Sequence, residues 1–477
     1  MTNPPVYTPL QTRRDPLITH AEIARIHDLA KRILEEIGLE ILDPEYRQRL
    51  QAAGLRLKDR RLCLEPALVD EHLAEMRRYI APWQTAEPPQ DQRRLTINAS
   101  SYPLYVQDYD SGKVVPFTTE RLVDMTRLID SLAGEGVSGA PPGIPIDVHP
   151  DLQPLAQYRI AALNARQGAS PVDPTAPHTA RFLMEMATVM GHPMHHLPVY
   201  IPTPLRLGGE SLQVVMGCLD RLDHISVASM PATGLSAPVQ PFGALALAAA
   251  EVLGGMIAVK TLTGLPVTCH VEIFPGNLRE GSMVFGSPEN MLFQMLCSDV
   301  NRFYVWGPSS APGNYHVMAK TPDGQSAAEK AAIMMLGASL GARHFSCAGT
   351  LSLDEIFSAE QLLLDCEIRD WVEHAIRGLN LGETEAEDWL AEIRHGVNSN
   401  FMDLDSTLDH YHEQSWFPKR FVRGAIGAWL EQGQPRLSNR LRSEIKQRIA
   451  GHRFELEPDK RREIERIYAA AEKTISG

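Results

Sequence analysis

The chain has 477 residues, 44% of them hydrophobic, and a formal net charge of -13 at pH 7. This length suits one α/β domain with terminal additions, and the acidity excludes the basic footprint that a nucleic-acid-binding protein needs. Six scattered cysteines without Cys-x-x-Cys spacing, and no apolar segment of the signal-peptide or membrane-spanning type, indicate a cytoplasmic protein without a disulfide framework.

Residues 1–90 are predicted to form an amino-terminal arm and a helical extension. The Pro-rich arm comes first. Thr19 and Glu22 then have the spacing of a capping box, which starts an amphipathic helix that ends at Gly38. Two further helices follow, and a Pro- and Gln-rich break at residues 86–92 ends the extension.

Residues 91–434 alternate between strand and helix patterns. Such alternation predicts parallel strands covered by helices, and the lack of a Gly-x-Gly-x-x-Gly motif after an early strand favours a (β/α)8 TIM barrel over a doubly wound sheet. Residues 435–477 are predicted to be carboxy-terminal helices that pack on the barrel. The strand candidates are Leu95–Asn98 and positions near Val137, Val199, Ile225, Val267, Tyr304, Phe345 and Phe401, and the helical patterns between them cover residues 119–133, 175–190, 211–222, 238–262, 288–300, 325–340 and 358–377.

Residues 302–367 are the part of the barrel where we expect the chemistry. Two short aromatic and β-branched runs, Arg302–Trp306 and Arg343–Ala348, are each followed by a polar or Gly-rich loop and then by a helix pattern. The second of these helices starts at Ser358, and Gln361 has the capping-box position. Because barrels of this class carry their active sites in the loops at the carboxyl ends of the strands, these loops are the predicted site.

Six sequence blocks in colinear order carry a resemblance to a known family. The blocks are ILEEIGLEILDPEYRQRLQAAG (Ile33–Gly54), FTTERLVDMTRLIDSL (Phe117–Leu132), ALALAAAEVLGGMIAVKTLTGLPV (Ala244–Val267), FGSPE (Phe285–Glu289), KTPDGQSAAEKA (Lys320–Ala331) and SAEQLLLDCEI (Ser358–Ile368). In these blocks the chain resembles the trimethylamine methyltransferase family of corrinoid-dependent enzymes, including its betaine methyltransferase members that lack pyrrolysine. The resemblance covers about residues 20–430.

The resemblance implies a methyltransferase that moves a methyl group from a betaine-like quaternary amine to the cobalt of a corrinoid (cobalamin) held by a separate carrier protein. Co(I) is the nucleophile of such a reaction and the leaving group is a neutral tertiary amine, so no general acid is needed. The protein must orient and desolvate the cation. We expect no pyrrolysine, no membrane or nucleic-acid partner, and a homo-oligomer.

Aromatic side chains at strand ends are the first candidates for substrate binding, because a quaternary ammonium binds against aromatic faces with a carboxylate as an optional counter-ion. Tyr304 and Trp306 share one face of their predicted strand, and ordinary barrel packing is an equal alternative. Tyr102 and Tyr105 follow the predicted first strand, where simple loop packing is the alternative.

Two histidines, a glutamate and a phenylalanine complete the predicted substrate-binding set. His270 and Glu272 share a face with Thr268 and are expected to be buried at a strand end, where polar groups need partners. His344, with Phe345 next to it, begins another predicted strand and is either a ligand or a satisfied core histidine.

The chain also departs from the family pattern. Asn400 and Ser406 stand where the family has histidines. This difference keeps a non-catalytic barrel that binds a small cation as an alternative.

A second alternative is zinc-assisted methyl transfer with a thiol or a corrinoid as acceptor. Its plausible ligands are Cys269, His270, Glu272 and Cys347, although Cys269 and His270 point to opposite strand faces.

Overall fold

The computed structural model describes residues 10, 14–84, 94–170, 172–305, 313–382 and 385–476. Within these residues the chain is a mixed α/β protein whose strands are short and whose helices carry most of the core. The amino-terminal extension contains α1 (His20–Arg32), β1 (Leu39–Ile41), α2 (Pro44–Ala52), β2 (Leu57–Lys58), β3 (Arg61–Leu62) and α3 (Pro66–Gln84).

The capping box predicted at the start of α1 is confirmed. The Thr19 hydroxyl accepts from the Glu22 amide at 3.2 Å, and the Glu22 carboxylate accepts from the Thr19 amide at 2.8 Å. Two otherwise unpaired amide groups are satisfied in this way, which fixes where the helix begins.

The main body contains groups of short strands separated by helices. Its first half contains β4 (Thr96–Asn98), β5 (Tyr105–Gln107), β6 (Val114–Pro116), α4 (Thr119–Ser131), β7 (Val137–Ser138), α5 (Gln153–Asn164), α6 (Pro177–Val189), β8 (His196–Ile201), β9 (Arg206–Leu207), α7 (Glu210–Gly217), β10 (His224–Ser229), β11 (Ala232–Thr233) and α8 (Pro241–Thr263). Its second half contains β12 (Val267–Cys269), β13 (Phe274–Asn277), β14 (Ser282–Met283), α9 (Pro288–Val305), α10 (Gly324–Ser339), β15 (His344–Phe345), β16 (Thr350–Leu351), β17 (Ile356–Ser358) and α11 (Ala359–Arg377).

Two parallel sheets form the centre of this body. One has the order β12-β10-β8, and the other has the order β15-β4-β7. Beyond their carboxyl ends, β11 pairs in parallel with β13 and β5 pairs in parallel with β17. Each central sheet therefore continues into a smaller sheet on the side where the carboxyl ends lie.

Each central sheet has one apolar face and one polar face. In β8, Leu197, Val199 and Ile201 are buried, whereas the alternate residues His196 and Tyr200 are exposed. The period of two places the latter pair on the opposite face, together with the alternate residues of β10. The polar face is thus accessible, and the apolar face packs into the core.

Helix α8 covers the apolar face of the β8–β10 pair and is almost entirely buried. A Cβ atom added at Gly254 would lie 2.7 Å from Leu34, and one added at Gly255 would lie 2.7 Å from Ile201. The two glycines thus let the helix lie between the amino-terminal extension and the sheet. This helix is long and apolar enough to cross a membrane, but 89% of its most apolar window is buried within the protein.

The carboxy-terminal part contains five helices. The last two pack on the body, α15 against α4 and α11, and α16 against α5 and α6. They are α12 (Ala386–Asn398), α13 (Asp405–Gln414), α14 (Ile426–Glu431), α15 (Leu437–Ala450) and α16 (Pro458–Ser476).

Two predicted strands are wrong. Residues 302–305 form the last turn of α9, where the Arg77 side chain donates to the backbone carbonyls of Phe303 and Tyr304 and so satisfies the helix end. Phe401 lies in a turn between α12 and α13. A last strand near Phe401 would have paired with the first strand, β4. Strand β15 already pairs with that edge of β4, so no strand near Phe401 is needed there.

The capping box predicted at Ser358 is formed by half. The Ser358 hydroxyl accepts from the Gln361 amide at 3.2 Å, but the Ser358 amide donates to the Gly349 carbonyl at 2.8 Å instead of to the Gln361 side chain. A backbone carbonyl from another segment of the fold therefore replaces the second bond of the local motif.

Candidate active site

A carboxylate shared by two tyrosines lies at the carboxyl ends of the central strands. The Tyr102 hydroxyl donates to Asp173 Oδ2 at 3.1 Å, and the Tyr200 hydroxyl donates to the same oxygen at 2.8 Å. Tyr102 follows β4, Tyr200 belongs to β8, and Asp173 precedes α6. Hydrogen bonds to one atom therefore bring the two central sheets together at this end.

The rings of both tyrosines are accessible. Tyr102 is 49% exposed and Tyr200 is 46% exposed. Burial around the hydroxyl groups, followed by the charge of Asp173, raises the pKa of both phenols above the ordinary value. Both hydroxyls therefore stay protonated at neutral pH and act as donors to the carboxylate, while the ring surface is open to a ligand.

A second carboxylate adds negative charge beside Tyr102. The charge of Asp354 also acts to raise the pKa of Tyr102. Burial raises the pKa of Asp354 itself. The surroundings of the tyrosine pair are thus acidic.

The turn that carries Asp354 is strained. Cys347, Ser352 and Leu353 have φ values of 62°, 52° and 70°, in the left-handed region that side chains other than glycine seldom adopt. Lys320 Nζ donates to the Ser352 hydroxyl at 2.6 Å, and the Ser352 and Leu353 amides donate to the carbonyls of residues 319 and 317. Strain of this kind persists where surrounding contacts enforce it, which is typical of ligand-binding loops.

A fully buried ion pair supports the beginning of this loop. Lys330 Nζ lies 2.8 Å from Asp365 Oδ2, and both side chains have no exposed surface. Lys330 also donates to the Cys347 carbonyl at 3.3 Å and lies 4.3 Å from the centre of the Tyr315 ring. The Gly349 amide donates to Asp365 at 2.7 Å. Helices α10 and α11 are thereby joined to the chain segment that follows β15.

His270 and Glu272 form a second accessible pair after β12. Their side chains are 3.7 Å apart and are 47% and 42% exposed, so the prediction that they are buried is wrong. Asn301 explains the exposure, because its side chain makes hydrogen bonds of 2.8 Å to both the amide and the carbonyl of Val271. Glu272 raises the pKa of His270 through its hydrogen bond and its charge, which burial only partly opposes.

A row of aromatic rings lies beside the segment that extends the β15 edge. Asn314 forms a parallel bridge with Ser346, and His316 comes two residues after Asn314 in the chain. The Phe285 ring lies 5.0 Å from that of Phe274 and 5.1 Å from that of His316. Burial lowers the pKa of His316 to about 4, and the nearby Lys330 charge adds to the effect. His316 is therefore neutral at pH 7.

Nearly the whole chain matches a known protein family. The family model described as trimethylamine methyltransferase matches residues 7–475. The chain belongs to the trimethylamine methyltransferase family. The predicted resemblance is thereby confirmed, and this family member is a methyltransferase.

The relatives of this methyltransferase are similar at low identity. A trimethylamine methyltransferase of Methanosarcina barkeri is 24% identical, with 97% of this chain and 96% of that protein covered. A glycine betaine methyltransferase of Desulfitobacterium hafniense is 22% identical, with 87% of this chain and 88% of that protein covered. A proline betaine:corrinoid methyltransferase of Eubacterium limosum is 25% identical, with 52% of each chain covered.

The structure separates the aromatic residues that the sequence predicts for the site. Tyr102 lies at the shared carboxylate, and Tyr105 is 45% exposed in β5. Tyr304 is 1% exposed in α9, where its ring lies 5.7 Å from His27 of α1, and its placement on a strand was wrong. Trp306 lies outside the described residues.

The two predicted residues of β15 point in opposite directions. His344 is exposed, and its Nδ1 lies 2.5 Å from the Thr96 hydroxyl at the amino end of β4. Phe345 is completely buried, with its ring 6.0 Å from that of Tyr315. Phe345 therefore packs in the core, and His344 lies beside the amino end of β4.

The four ligands suggested for the zinc alternative do not converge. The Cys269 thiol lies in the core, 3.8 Å and 3.9 Å from the sulfur atoms of Met76 and Met256. Burial raises its pKa to about 12, which disfavours the thiolate that zinc binds. In the part of the chain that the structure describes, no three His, Cys, Asp or Glu side chains form a metal-binding group.

The sequence interpretation missed Asp173 and Tyr200. For Tyr200 a signal existed, because the period of two places it opposite Val199 near the end of a predicted strand. Asp173 stands between two prolines before a helix pattern, and its two partners are 71 and 27 residues away in the chain. No local pattern marks it.

Proposed function

We propose that this methyltransferase moves a methyl group from a betaine-like quaternary amine to the corrinoid of a separate carrier protein. The observation that carries the proposal is the half-exposed tyrosine pair that shares Asp173 at the carboxyl ends of the central strands. The names of the relatives, which include trimethylamine, glycine betaine and proline betaine methyltransferases, support the substrate class.

The tyrosine pair suits a quaternary ammonium because it combines two features. The accessible ring faces of Tyr102 and Tyr200 attract a cation through their π-electrons, with about 0.5 to 2 kcal/mol for each contact. The carboxylate of Asp173, with Asp354 nearby, adds a negative charge that attracts a quaternary ammonium more strongly than a neutral amine. We assign substrate binding to Tyr102, Asp173 and Tyr200, with His270 and Glu272 as a second accessible group.

The chemistry needs no proton from the protein. The N–CH3 bond breaks with its electron pair staying on nitrogen, and the methyl group bonds to Co(I) of the acceptor corrinoid, so the amine leaves uncharged. The raised pKa values of Tyr102 and Tyr200 keep these hydroxyls from titrating at neutral pH. We infer that the chain contributes orientation of the cation and removal of its water, not acid–base catalysis.

We further propose that the two central sheets are parts of one (β/α)8 barrel with this site at its mouth. Both sheets are parallel, and each has one polar, accessible face. The shared contact with Asp173 and the bridge between Asn314 and Ser346 support continuity around the ring. A mouth of this kind would leave room for a corrinoid carrier protein to approach the methyl group.

The two positions where this chain lacks the family histidines are not among the residues that we assign to the substrate. Asn400 lies in the exposed turn between α12 and α13, and Ser406 lies in α13. The Asn400 side chain accepts from the Met402 amide at 2.8 Å, a local contact within the turn. The proposal therefore keeps corrinoid methylation. It also keeps the cytoplasm as the location, which six buried free thiols suit.

A methyl-transfer assay tests the proposal. The purified protein is mixed with a corrinoid carrier reduced to Co(I), and glycine betaine, proline betaine, choline and trimethylamine are supplied in turn. We expect the methylcorrinoid absorption spectrum and an equal amount of tertiary amine with at least one quaternary amine, and less with trimethylamine. Tight binding by calorimetry without any turnover would favour the non-catalytic cation-binding barrel instead.

A further inference from the structure

The three helices α12, α13 and α14 form a surface segment that buries almost nothing. We call residues 386–431 the apolar segment. Of all the residues in these three helices, only Gly396 is buried. None of the three helices packs extensively on another helix or strand in the described ranges. Isolated short helices are marginal in water, so this arrangement needs a partner surface.

Many of the exposed side chains of the apolar segment are large and apolar. On α12, Trp389, Ile393 and Val397 follow one another at intervals of four residues and therefore share a helix face, and they are 42%, 51% and 74% exposed. Leu408 on α13 and Ile426 on α14 are each 68% exposed. Such a stripe normally faces a core.

The apolar segment is nevertheless attached to the body at defined points. Arg377 donates to the Glu413 carbonyl at 2.6 Å, and the Asn380 side chain donates to the Glu413 carboxylate at 3.0 Å. The Arg420 amide donates to Glu367 of α11 at 3.0 Å. Polar contacts thus hold the segment in place while its apolar side faces outward.

The surface continues into an apolar hollow beside α11. A cavity of about 690 Å³ is lined by Trp371 and Ile368 of α11, by Ala331 of α10 and by Trp416 and Phe421 of the chain that follows α13. Trp371 itself is 42% exposed. A hollow of this size can receive large side chains from another surface.

We propose that the apolar segment is the interface between two copies of this chain. Of the 30 exposed large apolar residues in the described chain, 12 lie in the apolar segment. At roughly 150 to 200 Å² for each side chain, their exposed fractions amount to about 1,200 Å², above the ~800 Å² for each partner of a stable interface.

The apolar character favours a second copy over the corrinoid carrier. A carrier must leave after each transfer, and transient interfaces are smaller and more polar than obligate homodimer interfaces. A two-fold axis would place the same segment on both sides, so that α12 of one copy covers the segment of the other. This inference is independent of the methyl-transfer proposal, because it uses none of the residues assigned to the substrate.

Sedimentation velocity at micromolar concentration tests the interface. We expect the wild-type protein to sediment as a dimer or as an even-numbered oligomer, and I393E/V397E to sediment as a smaller species with an unchanged circular dichroism spectrum. The matched control is L292E, which places a charge at a 50% exposed position on α9, and it should keep the wild-type mass. Leu408→Arg gives a second, separate disruption on α13 in case the double variant does not fold.

Hydrogen exchange supplies a readout that does not depend on substitution. Amides of residues 386–431 should become more protected as the wild-type concentration rises, and those of α16 should not change. A wild-type protein that is monomeric at micromolar concentration, or an unchanged mass of both folded variants, would overturn the proposal. Protection of the segment only after a corrinoid carrier is added would also overturn it, and would assign the surface to that carrier.

Discussion

Two carboxylates of this methyltransferase, Asp365 and Asp173, have opposite surroundings. Asp365 has no exposed surface and accepts hydrogen bonds from Lys330, Gly349 and Gln361. Asp173 is partly accessible and accepts from two tyrosines that are themselves half-exposed. The first charge is compensated within the fold and holds the loop after β15. The second is placed where a cation from solution can meet it.

The largest effect is expected when the buried pair is broken. Lys330→Met leaves the Asp365 charge without its cation inside the fold, and this should lower the free energy of unfolding by about 3 to 5 kcal/mol. Urea denaturation followed by circular dichroism measures the loss. The double variant K330M/D365L removes both charges and should recover a large part of the stability.

If Lys330→Met lowers the free energy of unfolding by less than about 1 kcal/mol, water reaches Asp365. The contrast between a buried Asp365 and an accessible Asp173 would then be wrong. The pair would then resemble an exposed ion pair, and its connection to Cys347 and Gly349 would not fix the loop.

Asp173 should show the reverse behaviour, with a large effect on activity and a small one on stability. Asp173→Asn keeps the shape and the two tyrosine contacts but removes the charge, so we expect kcat/KM for a quaternary amine to fall about 100-fold. The free energy of unfolding should change by less than about 1 kcal/mol. Asp28→Asn on α1, where the carboxylate is 70% exposed, is the matched control for loss of one surface charge.

Equal activity of wild-type protein and Asp173→Asn would place the substrate elsewhere. The pair His270 and Glu272 would then be the next accessible group to change, since it lies after a different central strand.

The parts of the fold that sequence could predict are those decided by local periodicity. Helices α8, α10 and α11 carry long apolar patterns and lie within a few residues of their predicted bounds, and strands β8 and β10 contain the predicted positions Val199 and Ile225. The aromatic run Arg302–Trp306 has a strand pattern, but residues 302–305 end α9, and the Arg77 side chain that satisfies this helix end is 227 residues away from Tyr304. Long-range hydrogen bonds of this kind leave no trace in a short window of sequence.

The candidate site was predictable to a similar extent. Alternation along one strand was enough to place His270 beside Glu272, but not to show that Asn301 would hold the segment open. Tyr102 was included as a residue after the first strand, whereas Asp173 depends on three segments meeting at one atom. Residues in loops acquire their role from the tertiary structure, and only a fold can show it.

His316 should contribute a smaller, pH-dependent effect. Its pKa is lowered to about 4 in the folded state, against an ordinary value of about 6.5. Between these values the unfolded chain binds a proton that the folded chain does not, so stability falls as the pH falls through this window. Acidification from pH 8 to pH 5 should lower the free energy of unfolding by about 2 kcal/mol through this residue.

The variant His316→Gln isolates this contribution, because glutamine does not titrate. Urea denaturation of both proteins at pH 5 and pH 8 should show a wild-type loss that exceeds the variant loss by about 2 kcal/mol. If the free energy of unfolding depends on pH equally in both proteins, water enters the space beside Phe285. His316 would then be an accessible group like Asp173 and not a buried group like Asp365.

The smallest effect separates the hydroxyl of Tyr200 from its ring. Tyr200→Phe removes one hydrogen bond to Asp173 but keeps the aromatic face, and Tyr102 still donates to the same oxygen, so kcat/KM should fall only about threefold to tenfold. Tyr200→Leu also removes the ring and should lower kcat/KM further, mainly through a higher KM. Because the pKa of Tyr200 is raised, the wild-type rate should show no tyrosine ionisation between pH 6 and 9. If phenylalanine and leucine reduced activity equally, the hydroxyl alone would matter and the cation would not be held against the aromatic face.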